Sequence, residues 1–332
     1  MKIIRFLKTD VKIINSYFLI AIILVILISV GYSSYALFSF TKTSNNIIEL
    51  TVGELKKADL NDLIKLADNK NDSGLYKVTH NADSTLQIGA TESITEYRYR
   101  GANPKNYVTF NNEVWRIIGI FKTDDGTGNI ENRIKLIRNE SIGTYYWDSN
   151  GYNNWTKATL QTELNETYYN SLSSIAKSMI GDAKYYLGGY ASAGVTVVNM
   201  YSYERKISGS DYYYSSNPTN WTGKLGLMYI SDYGYASDAC ENKKLYTING
   251  DTNVISTCNT TNWLYNVVQE WLLNQWSGVR THAFQKYNNS GMIHNSRTEL
   301  GNFGVRPVLY LKPDVKITGG DGTSTNPYIL GL

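Results

Sequence analysis

Two cysteines and three histidines are the residues of this 332-residue chain best suited to covalent or metal chemistry. Cys240 and Cys258 are the only cysteines, and an oxidising exterior would join them as a disulfide. Closing a loop of that size stabilises a fold by about 3 kcal/mol in the chain-entropy view. Two free buried thiols or a metal site are the other readings. A metal site has little support: there is no CxxC, and His80, His282 and His294 all lie away from the cysteines in sequence. Asp124, Asp125 and Asn129 in "DDGTGNIEN" invite calcium, but the full ligand spacing and the distant Glu are missing, so a solvated hairpin loop is expected. Neither a Gly-x-Ser-x-Gly elbow nor a phosphate-binding Gly-x-x-x-x-Gly-Lys loop occurs. Carboxylates are plentiful, yet no pattern places two of them together as glycoside hydrolysis requires. No catalytic residue, metal or cofactor is assigned.

The aromatic content raises a different possibility. Twenty-eight tyrosines and seven tryptophans offer rigid, amphipathic contact area of the kind used in recognition and sugar stacking. AT-rich coding produces a similar excess of Tyr, Asn, Ile and Lys, so the count alone decides nothing. Trp115, Trp155, Trp221 and Trp263 sit among apolar or strand-like neighbours and are expected in the core.

These residues have to be positioned by an exported body. The chain has 32 basic and 29 acidic residues, and four of the former (Lys2, Arg5, Lys8, Lys12) precede an uncharged run from Tyr17 to Thr41. The rest is formally neutral, which argues against a general nucleic-acid surface. Tyr17–Phe38 has the length of a spanning helix, and its basic flank places residues 1–16 in the cytoplasm. Alternatively Phe18–Val30 is the apolar core of an export signal cut after Ser34-Tyr35-Ala36. The first reading gives a single-pass membrane protein with an extracellular C-terminal domain. Cleavage near Ala36 gives a secreted one.

Residues 39–94 are expected to form a membrane-proximal linker with one short amphipathic helix, through Leu55, Leu60, Leu63, Leu66 and Ala67. Residues 95–332 are expected to form an α+β domain of antiparallel hairpins and a few helices. "EYRYRG" and "NYVTF" are read as strands joined across Ala102–Lys105. A second hairpin reverses at Asn111-Asn112, which tolerate the positive φ of a type I′ turn. Period-two alternation puts Val114, Arg116, Ile118 and Ile120 on one face, opposite Trp115, Ile117 and Phe121. "RIKLIRN" follows as a strand. Thr156 is placed as the cap of a helix through Leu160, Leu164 and Tyr168, followed by a stripe of Leu172, Ile175, Met179 and Ile180. "GVTVVNMYSYE" and "WTGKLGLMYISDYGYA" read as strand-like, "HAFQKYNNSGMIHN" as a hairpin reversing at Asn289-Ser290-Gly291, and "GVRPVLYLK" and "YIL" as late strands.

The ordered blocks "YRYRGANPKNYVTFNNEVWRIIGIF", "NWTKATLQTELNETYY", "WTGKLGLMYISDYGYA", "NWLYN" and "GVRPVLYLKPDVKITGGDGTSTNPYIL" resemble uncharacterised exported surface proteins of Gram-positive Firmicutes. Those proteins carry a bacterial domain of unknown function that is distantly similar to the C-type-lectin-like fold of formylglycine-generating enzymes. The resemblance spans about residues 70–332 and implies architecture rather than activity. The cysteine pair of those enzymes is close-set, whereas Cys240 and Cys258 are eighteen positions apart, and the His-x-x-x-His-x-Glu iron triad of ergothioneine-type relatives is absent. Lectin-like folds present ligands from the irregular segment before the terminal strand. By position this implies Trp276, Arg280, His282, Tyr287, His294 and Arg297 as ligand contacts, with a hydrogen-bonding structural role for Arg306.

The expectation is a membrane-anchored extracellular binding or adhesion protein, with a surface glycan or protein as ligand and no nucleic-acid partner. The alternative is an exported enzyme of the formylglycine-generating type with non-standard active residues. A pilin-like subunit ranks last, because the Gly-Phe-Thr…Glu processing signal is missing.

Overall fold

A computed structural model describes residues 60–65, 67, 74–192, 194–245, 258–265, 268–287, 290–301 and 303–332. The expected anchor or signal segment, Tyr17–Phe38, lies outside them, as do Leu55 and Leu66. Among the described residues no helix is long and apolar enough to cross a membrane. The architecture is mixed α+β and mostly sheet.

Helix α1 (Leu60–Lys65) is the short helix expected ahead of the sheet, and it buries Leu63. Strand β1 (Gly74–His80) pairs antiparallel with β2 (Ile94–Arg100), so the sheet already includes residues ahead of the boundary expected at 95. Strands β3 (Tyr107–Phe110) and β4 (Glu113–Asp124) make the hairpin read from the sequence. Asn111 and Asn112 take φ of 54° and 58°, the left-handed values that a type I′ turn needs at both positions. Strand β5 (Ile130–Arg138) lines the other edge of β4. The expected pairing of "EYRYRG" with "NYVTF" does not occur. Instead β3 and β2 occupy the same edge of β4 in series, β3 along Glu113–Arg116 and β2 at Gly119–Ile120.

A bulge separates those two stretches. Ile117 lies opposite Leu136 and Gly119 opposite Lys135, leaving Ile118 as the extra residue. One extra residue inverts every later side chain. Ile120 therefore joins Trp115 and Ile117, while Phe121 shares the other face with Arg116, correcting the strict alternation expected from the sequence. Gly119 is required there: a Cβ would come within 2.2 Å of the Tyr97 carbonyl oxygen on β2.

The remaining strands are β6 (Thr144–Tyr145), β7 (Ala183–Tyr186), β8 (Asn220–Gly223), β9 (Leu225–Gly226), β10 (Glu270–Gln275), β11 (His282–Lys286), β12 (Ile293–Arg297), β13 (Phe303–Gly304), β14 (Val308–Tyr310), β15 (Lys316–Gly319) and β16 (Tyr328–Gly331). The main sheet runs β15-β16-β3-β4-β5-β14-β9 with β2 and β1 branching from β4; a second sheet runs β12-β11-β10-β13-β6, and β7 pairs with β8.

Asn154, rather than the expected Thr156, caps the helical segment: its side chain accepts from the Thr156 amide at the head of a 3-10 turn, Trp155–Lys157. Helix α2 (Thr159–Thr162), a π-helical stretch Glu163–Tyr168 and α3 (Tyr169–Ser171) continue it, with Leu160 and Leu164 buried. Helix α4 (Ser174–Met179) turns Ile175 outward, 68 % exposed, and the inward stripe is Leu172, Ala176, Met179 and Ile180. "VVNMYSYE", expected as strand, is helix α5 (Val197–Glu204). Thr196 caps it, and Val197, Met200, Tyr201 and Glu204 recur at helical spacing on its buried side. Likewise "ISDYGY" is helix α6 (Ile230–Tyr235), followed by α7 (Asp238–Glu241).

Cys240, on α7, is bonded to Cys258 with Cα atoms 4.9 Å apart, and both are buried. Trp115, Trp155 and Trp263 are buried, and Trp221 is half-buried beside Tyr185 and Trp155. The Trp115 indole donates to Glu113, which also accepts from Arg138 and from Tyr168 on the helical segment. That carboxylate links the sheet to the helices.

Candidate functional site

The six residues implied by the resemblance lie on β10–β12 or the loops joining them, but they do not meet at one point. In the β11–β12 hairpin His282 lies opposite Arg297, and Gln285 lies opposite His294. The pleat therefore places His282 and Arg297 on one face, with Tyr287 and His294 on the other. Tyr287 and His294 pack edge to face at 5.8 Å. Burial, then the nearby Arg297 charge, lowers the His282 pKa, and its Nδ1 lies 2.9 Å from Thr281 Oγ1. Arg297 is exposed and ion-paired with Glu299. Trp276 packs on Phe284 at 5.3 Å. Of the six, Arg280 lines a cleft to which the other five do not contribute.

That cleft has a volume of about 520 Å³ and is built from three loops distant in sequence: 148–157, 214–217 and the β10–β11 connection. Its first wall begins at Asp148, a buried carboxylate already filled by its own neighbourhood. It accepts from the Thr159 amide (3.2 Å), the Tyr152 amide (3.0 Å) and Asn150 Nδ2 (3.3 Å). The loop is thereby tied to the start of α2.

Asn153 forms the floor. Its side-chain amide donates to the carbonyls of Trp276 (2.8 Å), Val279 (3.0 Å) and His282 (2.9 Å), and its own backbone amide donates to Arg280 (2.7 Å). Asn217 donates to Asn153 Oδ1 and to Gln275 Oε1, both at 2.9 Å, and Gln275 Oε1 also accepts from the Tyr214 amide. Ser215, at the rim, has φ of 51°, a left-handed conformation uncommon outside glycine and asparagine. Asn153, Asn217 and Gln275 also border a narrow gap with buried Trp155, too tight to hold a water molecule. The Trp155 Nε1 donor has no hydrogen-bond partner among the described residues. The frame is rigid because each amide holds a backbone carbonyl in place.

The groups facing the opening are polar, aromatic and cationic. Lys157 and Arg280 are exposed, and neither has an ion-pair partner among the described residues. The Arg280 guanidinium sits 5.2 Å from the centre of the Tyr152 ring, and Tyr152 is 48 % exposed. Tyr214, Ser215 and Ser216 complete the far rim. Such a site can stack a ring, donate to oxygen acceptors and attract negative charge.

A second concentration of charge serves the fold. On the Phe121 face of the main sheet, Asp232 of α6 accepts from Lys135 Nζ (2.5 Å), Arg98 Nη1 (3.2 Å) and the Tyr229 amide (2.9 Å). Arg98 also binds Glu96 at 2.7 Å, and Glu204 holds Arg205 and Ser231. All six charged members are buried. Burial pushes the Glu96 carboxyl up, but Arg98 and His80 outweigh it and hold the group well below the usual range. Burial lowers Lys135 to about 8 against the pull of Asp232. Arg306 takes the hydrogen-bonding role expected of it: Nε and Nη2 donate to Glu270 at 2.6 and 2.7 Å, and Nη2 also donates to the Leu264 carbonyl at 3.1 Å.

The acidic loop is also satisfied internally. Asp124 accepts from the Gly126 and Gly128 amides and pairs with Lys184, while Asp125 accepts from Thr127. Among the described residues no group of three or more His, Cys, Asp or Glu is placed to hold a metal ion.

No motif marks Asp148, Tyr152, Asn153, Lys157 or Asn217 in the sequence. The available signal was compositional: "WDSNGYNNWTK" and "YYYSSNPTNW" are both dense in Asn, Ser and Tyr where chemistry is carried on loops. Comparison with protein-family models, with curated proteins and with solved structures finds no match to this chain.

Proposed function

We propose that this chain is a membrane-anchored extracellular binding or adhesion protein whose α+β domain, C-type-lectin-like in architecture, takes its ligand in the cleft floored by Asn153. The observation that carries this reading is preorganisation. Three separate loops are locked by side-chain amides around an open concavity, while its rim keeps a half-exposed tyrosine and two cations that have no ion-pair partner among the described residues. The apolar run Tyr17–Phe38 behind a basic flank supports the address, and a disulfide between two buried cysteines suits an oxidising compartment.

Two measurements test it. Protease applied to intact cells digests the body and spares residues 1–16; a body left intact beside accessible controls sinks the topology. Tyr152→Ala with Arg280→Ala lowers attachment of cells bearing the protein to its host surface without lowering the melting temperature. Unchanged attachment removes the cleft from the function.

A further inference from the structure

We propose that the cleft is selective for an acidic saccharide, a sugar unit carrying a carboxylate or a sulfate; this rests on the binding reading above. Three features of the lining combine to this end. The first is charge. Lys157 and Arg280 project from different loops, and no carboxylate among the described residues neutralises either. The one acidic group in the lining, Asp148, is buried, and its oxygens are occupied by two backbone amides and Asn150. A ligand in the opening therefore meets positive charge and little accessible negative charge.

The second feature is the pairing of that charge with an aromatic face. Arg280 lies against the Tyr152 ring at 5.2 Å, so a group stacked on the ring has a planar, forked donor beside it. A guanidinium binds an oxyanion bidentately, and a tyrosine ring packs on the C–H face of a sugar. The third feature is the fixed polar rim. Asn150, Ser215 and Ser216 supply donors and acceptors suited to hydroxyls, on loops whose backbones are already held. A simple inorganic anion uses the cations but not the ring, and a neutral sugar uses the ring but not the cations.

The test uses the full-length chain in detergent micelles and three soluble probes of one length: a galacturonate tetramer, its carboxyl-reduced galactose counterpart, and that counterpart sulfated at O6. Calorimetry is run on the wild type and on Arg280→Gln, Lys157→Gln and Tyr152→Ala, each checked for an unchanged melting temperature. The expected result is at least tenfold tighter binding of an acidic probe than of the neutral one. That gap shrinks with added salt and in both cation variants, while Tyr152→Ala weakens acidic and neutral probes alike. Whichever acidic probe binds tighter identifies the oxyanion. Equal binding of neutral and acidic probes overturns the proposal and leaves the binding reading standing. If no probe binds but the variants still reduce cell attachment, the ligand is of another class and the proposal also fails. Where neither binding nor attachment responds, both the proposal and the cleft reading fall.

Discussion

Asp232 is a residue whose loss should cost the fold a large part of its stability. It is buried at the start of α6 and holds two cations, Lys135 at 2.5 Å and Arg98 at 3.2 Å. Asp232→Leu leaves Lys135 without a partner in the interior, and removing one member of a buried pair typically costs about 3–5 kcal/mol. It also takes away the acceptor of the Tyr229 amide at the helix start, worth about 1 kcal/mol more. The sum, roughly 4–6 kcal/mol, is a large part of the 5–15 kcal/mol by which domains are usually stable. Lys135→Met, by contrast, leaves Asp232 still paired with Arg98, so it should cost less. In the double variant the remaining charges balance, Arg98 and Arg205 against Glu96 and Glu204. Urea denaturation followed by tryptophan fluorescence should therefore show the double variant about 2 kcal/mol or more above the sum of the singles. A single Asp232→Leu cost below about 1 kcal/mol, or strictly additive singles, would refute the view that this network is a coupled scaffold.

Trp115→Ala should lower stability by about 3–5 kcal/mol, because a fully buried indole is removed and Glu113 loses a donor; an unchanged denaturation midpoint contradicts this. Replacing Cys240 and Cys258 by serine should cost about 3 kcal/mol, and non-reducing peptide mapping of the native protein should recover the two cysteines linked; two free thiols there count against it. Stability should also decline in acid. Burial raises Glu96, Glu113 and Asp124, but Arg98, Arg138 and Lys184 respectively are the main groups that bring each below its ordinary value of 4.5, 4.5 and 3.8. Below those values the unfolded chain binds more protons than the folded one, so stability is complete above about pH 5 and falls as pH drops further. A denaturation midpoint flat from pH 6 to pH 3 is incompatible with that linkage.

The parts of the fold that could be read from the sequence are those set by neighbouring residues. Asn111-Asn112 announced a left-handed turn, and the β11–β12 hairpin closed where Gly291 was expected to reverse it, with the Tyr287 amide on the Met292 carbonyl. The bulge was hidden because "IIGIF" is apolar on both faces, so alternation carried no register mark at Ile118. Helix α5 was obscured by its Val-Val start, although Thr196 and the spacing of Val197, Met200, Tyr201 and Glu204 were a helix signal in plain view. The cleft was the least legible feature. Its walls are about 60 residues apart at each step along the chain, and they are tied together by long-range side-chain bonds from Asn153 and Asn217 that no local pattern marks. A guess by position could reach Arg280 and nothing else.

The placement of β16 has a consequence for the order in which the molecule acquires its shape. Tyr328 and Ile329 run parallel to Val108 and Thr109, on the edge of the very hairpin that forms most readily from local sequence. The early hairpin must wait, one edge unsatisfied, until a segment more than 200 residues downstream arrives. Strand β14 imposes the same delay at the opposite side, where it slots between β5 and β9. Loop closures this long make for slow folding. For as long as the late strands are missing, a half-made sheet is open to proteases, to other chains and to whatever folding helpers the compartment provides.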